Sequence, residues 1–149
     1  MLIIKNNQIC AQPMIDILNS KPIEQKICEN IHEYILENKQ PAVIAGEKTE
    51  LFHVSGFAEY HHQRLSEYLK YLFHPSETIN IARGFFSDYP CRHCWLKFHD
   101  LIIDITIKQF ADKIIDLAPE IKFLVDRSYF ISNNPQNLIY RFYQEKDEI

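Results

Sequence analysis

No stretch of this 149-residue chain approaches the ~18 consecutive apolar residues that a membrane-spanning helix needs, so no membrane partner is expected. A basic excess is missing as well. Lys and Arg number 16 against 20 Asp and Glu, a formal net charge of −4, and nucleic-acid binders normally carry the opposite balance. The start, Met1-Leu2-Ile3-Ile4-Lys5, lacks the basic region and long apolar region of a secretory signal. Cysteine is sparse. Its four copies, at 10, 28, 91 and 94, are scattered and do not form a disulfide framework, which fits a reduced, cytoplasmic setting. Glycine is scarcer still, with three copies, at 46, 56 and 84. Repeats, low-complexity runs and linkers are absent, so 1–149 reads as a single domain.

Hydrophobic residues make up 46% of the chain and charged residues 24%, a globular balance with enough apolar material for a real core. Residues 1–12 read as an apolar-then-polar lead, and Pro13 to Leu18 as a short helix. Pro22 suits the first turn of a helix over 22–38, in which Ile23, Ile27, Ile31, Tyr34 and Ile35 recur at helical spacing. Cys28 and His32 fall on or beside that face as core filler. Pro41 to Gly46 suits a short strand or extended entry, and Glu47 to Gly56 a loop. From Phe57 the helical period returns, with Ala58, His62, Leu65, Leu69, Leu72 and Phe73 on one face. Ser55 is the expected N-cap, Gly56 lets the chain turn into the helix, and Pro75 ends it.

The period then changes to two. Strands are expected over 78–86, 93–98 and 101–107, followed by a short helix over 108–117. Another strand is expected within 121–131 and a last one over 138–143. Helices first and an antiparallel meander after them make an α+β fold, with N-terminal helices packed on an antiparallel sheet.

Chemistry concentrates in the segment from Arg92 to Phe110. A tight turn at His99-Asp100 folds one strand onto the next, which can set His93 beside Asp104, eleven positions on. A histidine oriented by a carboxylate is a general base, and the carboxylate stabilises the imidazolium that forms. The same spacing also fits a surface histidine and an aspartate that caps the following helix.

The run His93-Cys94-Trp95, then Ile102-Ile103-Asp104-Ile105-Thr106 and Gln109-Phe110, resembles the His and Asp elements of the transglutaminase-like branch of papain-like cysteine enzymes. Gly84-Phe85-Phe86 resembles the glycine-aromatic strand that precedes them in that family. The resemblance spans roughly Gly56 to Phe110. It implies a papain-like, transglutaminase-like fold and a Cys-His-Asp catalytic triad, with no cofactor. The activity implied is thiol-dependent acyl transfer or amide hydrolysis on a protein or peptide substrate, by a deamidase, transglutaminase or cysteine peptidase. A small protein of this kind, acting in the cytoplasm or delivered into a target cell as an effector, fits it.

The family's cysteine opens a helix in a Gly-x-Cys-x-x-x-Ser-x-x-Leu pattern. The helix start and the nearby histidine stabilise the thiolate, and backbone N–H groups there meet the oxyanion. Here the matching stretch is Gly56-Phe57-Ala58-Glu59-Tyr60-His61-His62-Gln63-Arg64-Leu65. Ala58 stands where the cysteine belongs, and His62 where a small residue is expected. The resemblance therefore implies catalytic positions at Ala58, His93 and Asp104, with Gly56, Phe57 and Trp95 as substrate-binding candidates. A Cys-to-Ala replacement in a working enzyme and a natural non-catalytic binding module (a pseudoenzyme) both account for the alanine.

Other readings compete. Cys94 should face away from His93, since neighbouring strand residues point to opposite faces. Cys91 lies in the loop before and could curl back toward His93. Trp95 is expected as a core tryptophan on the face opposite His93, and Gln109-Phe110 as a staple for the next helix. Cys91-x-x-Cys94, with His53, His61, His62 and His99 in the chain, raises a zinc-stabilised module. A structural zinc site commonly needs two ligand pairs, and this chain has one cysteine pair. A thioredoxin-type redox pair would need a strand-to-helix setting, whereas this one runs into a strand. His61-His62 reads as a solvent-facing pair at a helix start.

Overall fold

The i, i+4 spacing of the isoleucines closes into helix α1 (Pro22–Asn38), which buries Ile27, Cys28, Ile31, Tyr34 and Ile35 along one side. The computed structural model describes residues 3–5, 8–10, 14–16, 22–72, 77–87, 89–99, 101–112, 129–133 and 140–142. The expectations for Phe73, for Pro75, for Asp100 in its turn and for 113–128 lie outside them.

After α1 the chain makes a hairpin of β4 (Pro41–Ile44) and β5 (Glu47–Glu50). Its turn is Ala45-Gly46, with φ of 51° and 82°. Two positive φ values match a tight turn to the twist of its flanking strands, and glycine makes the second one cheap. The segment from Glu47 was expected to be a loop. It begins as this strand, paired with β4, and was not legible because a strand largely open to solvent shows no apolar alternation. Leu51–His53 then forms a 3₁₀ turn that buries Phe52. Helix α2 (Ala58–Leu69) follows, burying Ala58, His61, His62, Leu65 and Leu69, and it runs into a 3₁₀ turn over Lys70–Leu72.

Among the described residues the main sheet has eight strands. Three precede α1: β1 (Ile3–Lys5), β2 (Gln8–Cys10) and β3 (Met14–Asp16). The rest are β6 (Asn80–Phe86), β7 (His93–Phe98), β8 (Leu101–Asp104), β9 (Phe130–Ser132) and β10 (Tyr140–Phe142). Their order is β1-β2-β3-β9-β8-β7-β6-β10. All neighbours pair antiparallel except β3 and β9, which are parallel.

The α+β class stands, with four differences from the expected plan. Strands come before the helices, and Met14–Asp16 is a strand where a short helix was expected. Three-residue strands are too short to carry a period of two. One pairing is parallel, a long-range choice that local pattern does not contain. β8 stops at Asp104 and turns, although apolar residues continue to Ile107. Where the helix expected over 108–117 is described, the chain forms a 3₁₀ turn, Ile107–Asp112.

The central strands are buried on both faces, so each face has its own cluster. On the helix side, Leu96, Phe98, Leu101, Ile103 and Ile131 pack with Tyr129 against α1 and against Leu65 and Leu69 of α2. On the other side, Phe86, Trp95, Ile102, Ile107, Phe110 and Phe130 form a smaller aromatic group. Burial of each large side chain contributes roughly 1.5–3 kcal/mol. Among the described residues no helix is long and apolar enough to cross a membrane.

Ile103 lies at the centre of the larger cluster with no exposed surface. Ile103→Ala should lower the unfolding free energy by about 2–5 kcal/mol. Tyr71→Ala, at a side chain that is 84% exposed, should change it by less than about 0.5 kcal/mol. Urea melts of the two variants check both.

Candidate active site

The register of the β7–β8 hairpin sets Leu96 across from Ile103 and Phe98 across from Leu101. After β7 the chain turns at His99, whose φ is 53°. Continued by one step, that register puts Asp104 across from Trp95, so His93 is its diagonal neighbour on the same face. Diagonal Cβ atoms lie roughly 7–8 Å apart, a gap that an imidazole and a carboxylate close. His93 Nε2 donates to Asp104 Oδ2 at 2.7 Å. Both side chains are buried, Asp104 completely.

The rest of the Asp-x-Thr-x-x-Gln run is a chain of hydrogen bonds that ends on this carboxylate. The Thr106 N–H donates to Asp104 Oδ1 at 2.8 Å and the Thr106 hydroxyl at 2.9 Å. Gln109 Nε2 donates to Thr106 Oγ1 at 3.1 Å and to the Thr106 carbonyl at 3.0 Å. Gln109 was expected only to staple the next element. It holds the threonine that holds the aspartate. Phe110 stacks on Phe86 at 4.2 Å and meets the His93 ring edge-on at 4.8 Å.

Trp95 was expected on the face opposite His93. Residues two apart on a strand share a face, and the two rings lie 5.9 Å apart. Trp95 is fully buried and lies against the His93 ring without lining the cavity.

The cavity has a volume of about 450 Å³ and opens where the start of α2 meets the start of β7. Gly56, Ala58, Glu59, His93, Cys94 and Gln109 are among the residues that line it. The structure therefore brings Gly56, Ala58 and His93 to one cavity. Asp104 sits behind His93, sealed from it. Phe57 does not line the cavity; it is the N-cap residue, 42% exposed. The N-cap position is held by Phe57 and not by the expected Ser55, and the Phe57 side chain makes no capping hydrogen bond. Gly56 has φ of 95°, a turn that glycine adopts freely. Glu59 and Arg83 pair at the cavity wall, joining α2 to β6.

The two remaining cysteines of this region differ. Cys94 points to the helix side of the sheet but still reaches the cavity. Burial, then the charges of Asp104 and Glu59, push its thiol up to about 12, so it is an inert thiol at neutral pH. Cys91 is exposed on the cavity rim. Among the described residues no group of three or more His, Cys, Asp or Glu is placed to hold a metal ion, so the zinc-stabilised reading has no site there.

His61 and His62 are not a solvent-facing pair; both are buried. His61 stacks near Phe52, with ring centroids 4.7 Å apart, and burial lowers its basicity. His62 bonds the Ala58 carbonyl at 2.8 Å and the Ile105 N–H at 3.0 Å. Its Nε2 is 3.6 Å from Asp104 Oδ1. Sequence reading missed this contact. Helical spacing places His62 on the apolar face, and nothing local says which backbone group it will meet.

No protein-family model, no curated protein and no solved structure matches this chain.

Two buried groups set an acid dependence. Burial works to raise Asp104, but its contact and hydrogen bond with His93, then His62 and the Thr106 N–H, outweigh it and hold the carboxyl at about 2. Burial pushes His62 down to about 4 against the pull of Asp104. Asp104 stabilises the fold above pH 3.8, and that contribution is lost as pH falls through about 2. The unfolded chain protonates His62 from pH 6.5, whereas the folded chain resists until about 4, so stability is lost across that window on acidification. Each shift corresponds to on the order of 2–3 kcal/mol. Melting temperature should therefore fall from pH 7 to pH 4, and His62→Gln should flatten that fall. An unchanged slope in the variant would refute the assignment to His62.

Proposed function

We propose that this chain carries the frame of a thiol-dependent acyl-transfer enzyme of the papain-like, transglutaminase-like type, with alanine in place of its attacking cysteine. The observation that carries the reading is the buried His93–Asp104 pair, its histidine on the wall of a cavity that Ala58 also lines. The β6–β9 meander with α2 packed against β7 supports the same frame. Its substrate class is the carboxamide or peptide bond of a protein.

With cysteine at 58 the steps follow from the residues present. Asp104 occupies Nε2 of His93, so proton transfer runs through Nδ1. The thiol gives its proton there, and Asp104 stabilises the resulting imidazolium. The thiolate attacks the carbonyl carbon, forming the C–S bond. The oxyanion that results is met by N–H groups of the first turn of α2. Collapse breaks the C–N bond, and His93 returns its proton to the departing ammonia or amine. Water or an amine then attacks the thioester, and the thiol is released.

With Ala58 there is no covalent step, and the chain acts as a binder of such segments. Exposed Phe57 and Tyr60 at the start of α2 favour that reading of the chain as it stands.

Ala58→Cys tests the frame. Alkylation by iodoacetamide at pH 6, resolved by peptide mass mapping, should label the introduced thiol about tenfold faster than the exposed Cys91, because the helix start and His93 would stabilise a thiolate at position 58. Asp104→Asn in that background should remove the advantage. Labelling of the introduced thiol no faster than of Cys91 would reject the frame. In the chain with Ala58, a glutamine-containing peptide should release no ammonia.

A further inference from the structure

His62 is a histidine where the resembled family has a small residue, and its environment determines its proton. A carbonyl only accepts and an amide N–H only donates. The bond to the Ala58 carbonyl therefore requires a proton on Nδ1, and the bond from the Ile105 N–H requires a lone pair on Nε2. The ring is neutral, in a single tautomer.

These two bonds join parts of the molecule that are otherwise held apart by 43 positions. One end is the first residue of α2. The other is the turn that follows β8, one residue beyond Asp104. β8 ends at Asp104, so the Ile105 N–H is past the last strand position and would be a buried donor in need of a partner. His62 meets it and, through the same ring, holds the carbonyl of residue 58. A serine at 62 would be too short to span both.

We propose that His62 is a positioning residue of this site, a clamp that sets residue 58 at its distance from the His93–Asp104 pair. The inference rests on the acyl-transfer reading and deepens it. The groups facing the ring are Asp104 from β8, His93 from β7 and His61 on its own helix. A proton on Nε2 would break the Ile105 bond and turn the ring toward Asp104 Oδ1, in competition with His93. The clamp therefore works only in the neutral form, which burial maintains.

Two measurements test it. On the unmodified chain, long-range ¹H–¹⁵N NMR should show His62 protonated at Nδ1 and bare at Nε2 at pH 7. The opposite tautomer overturns the clamp whatever the variants do. In the Ala58→Cys background, the alkylation rate of the introduced thiol is followed from pH 4 to pH 9. His62→Leu should cut the rate at pH 6 by about tenfold or more and move the profile toward that of a free thiol, since small displacements of reacting groups carry large rate effects. His62→Gln, which offers both a donor and an acceptor, should restore most of it. An activated thiol at position 58 that is indifferent to His62→Leu, in a chain still folded by circular dichroism, overturns the clamp alone. A thiol there with no activation in any background overturns the acyl-transfer reading and the clamp's role with it.

Discussion

A carboxylate sealed from water has to be answered by donors, and the central strands end in a way that answers Asp104. Its side chain has no exposed surface. Isolated, a buried charge of that kind would cost several kcal/mol or would take up a proton. Instead one oxygen receives the Thr106 N–H and hydroxyl, and the other receives His93. The early end of β8 is part of that solution. Only after the chain turns at residue 105 can the Thr106 backbone come back over the carboxylate.

The same turn anchors the contacts around the site. Gln109 holds Thr106, and the 3₁₀ turn that carries Gln109 also delivers Phe110 to the His93 ring. On the other side of the strand ends, His62 closes the gap between Ile105 and α2. The start of α2, the end of β8 and the start of β7 are thus held by polar contacts inside an apolar surround. Low local dielectric strengthens such a network when every member is satisfied, and it makes a missing member costly. That network fixes the His93 ring at the wall of an open cavity. The chain supplies Ala58 beside it and keeps its nearest buried thiol, Cys94, protonated.

Much of this was legible before any coordinates. The isoleucine spacing marks α1 almost to the residue, and the switch from a helical period to a period of two marks β6, β7 and β8. His93, Asp104 and Ala58 stood out by motif. What was misread has physical causes. β1, β2 and β3 are three residues each, too short for any period to show. β5 is largely open to water, so no apolar alternation marks it. Trp95 was assigned to the wrong face, although the period of two already put it beside His93. Ser55 had the right chemistry for a cap but sits two residues before the helix boundary that packing selected.

Residue types and short-range spacings, which the chain carries in itself, determined that helices and an antiparallel hairpin would form. They also determined that a histidine and an aspartate would come within reach of each other. Those are consequences of backbone period and side-chain size. Only the tertiary structure decided that Asp104 would be answered by Thr106 and Gln109 as well as His93. It alone decided that β3 would run parallel to β9 and that His62 would join residue 58 to residue 105. Each of those is a contact between distant segments or across a turn. Its energy depends on which buried backbone groups are left without a partner, and that is settled only once the strands have stopped and the helices have packed.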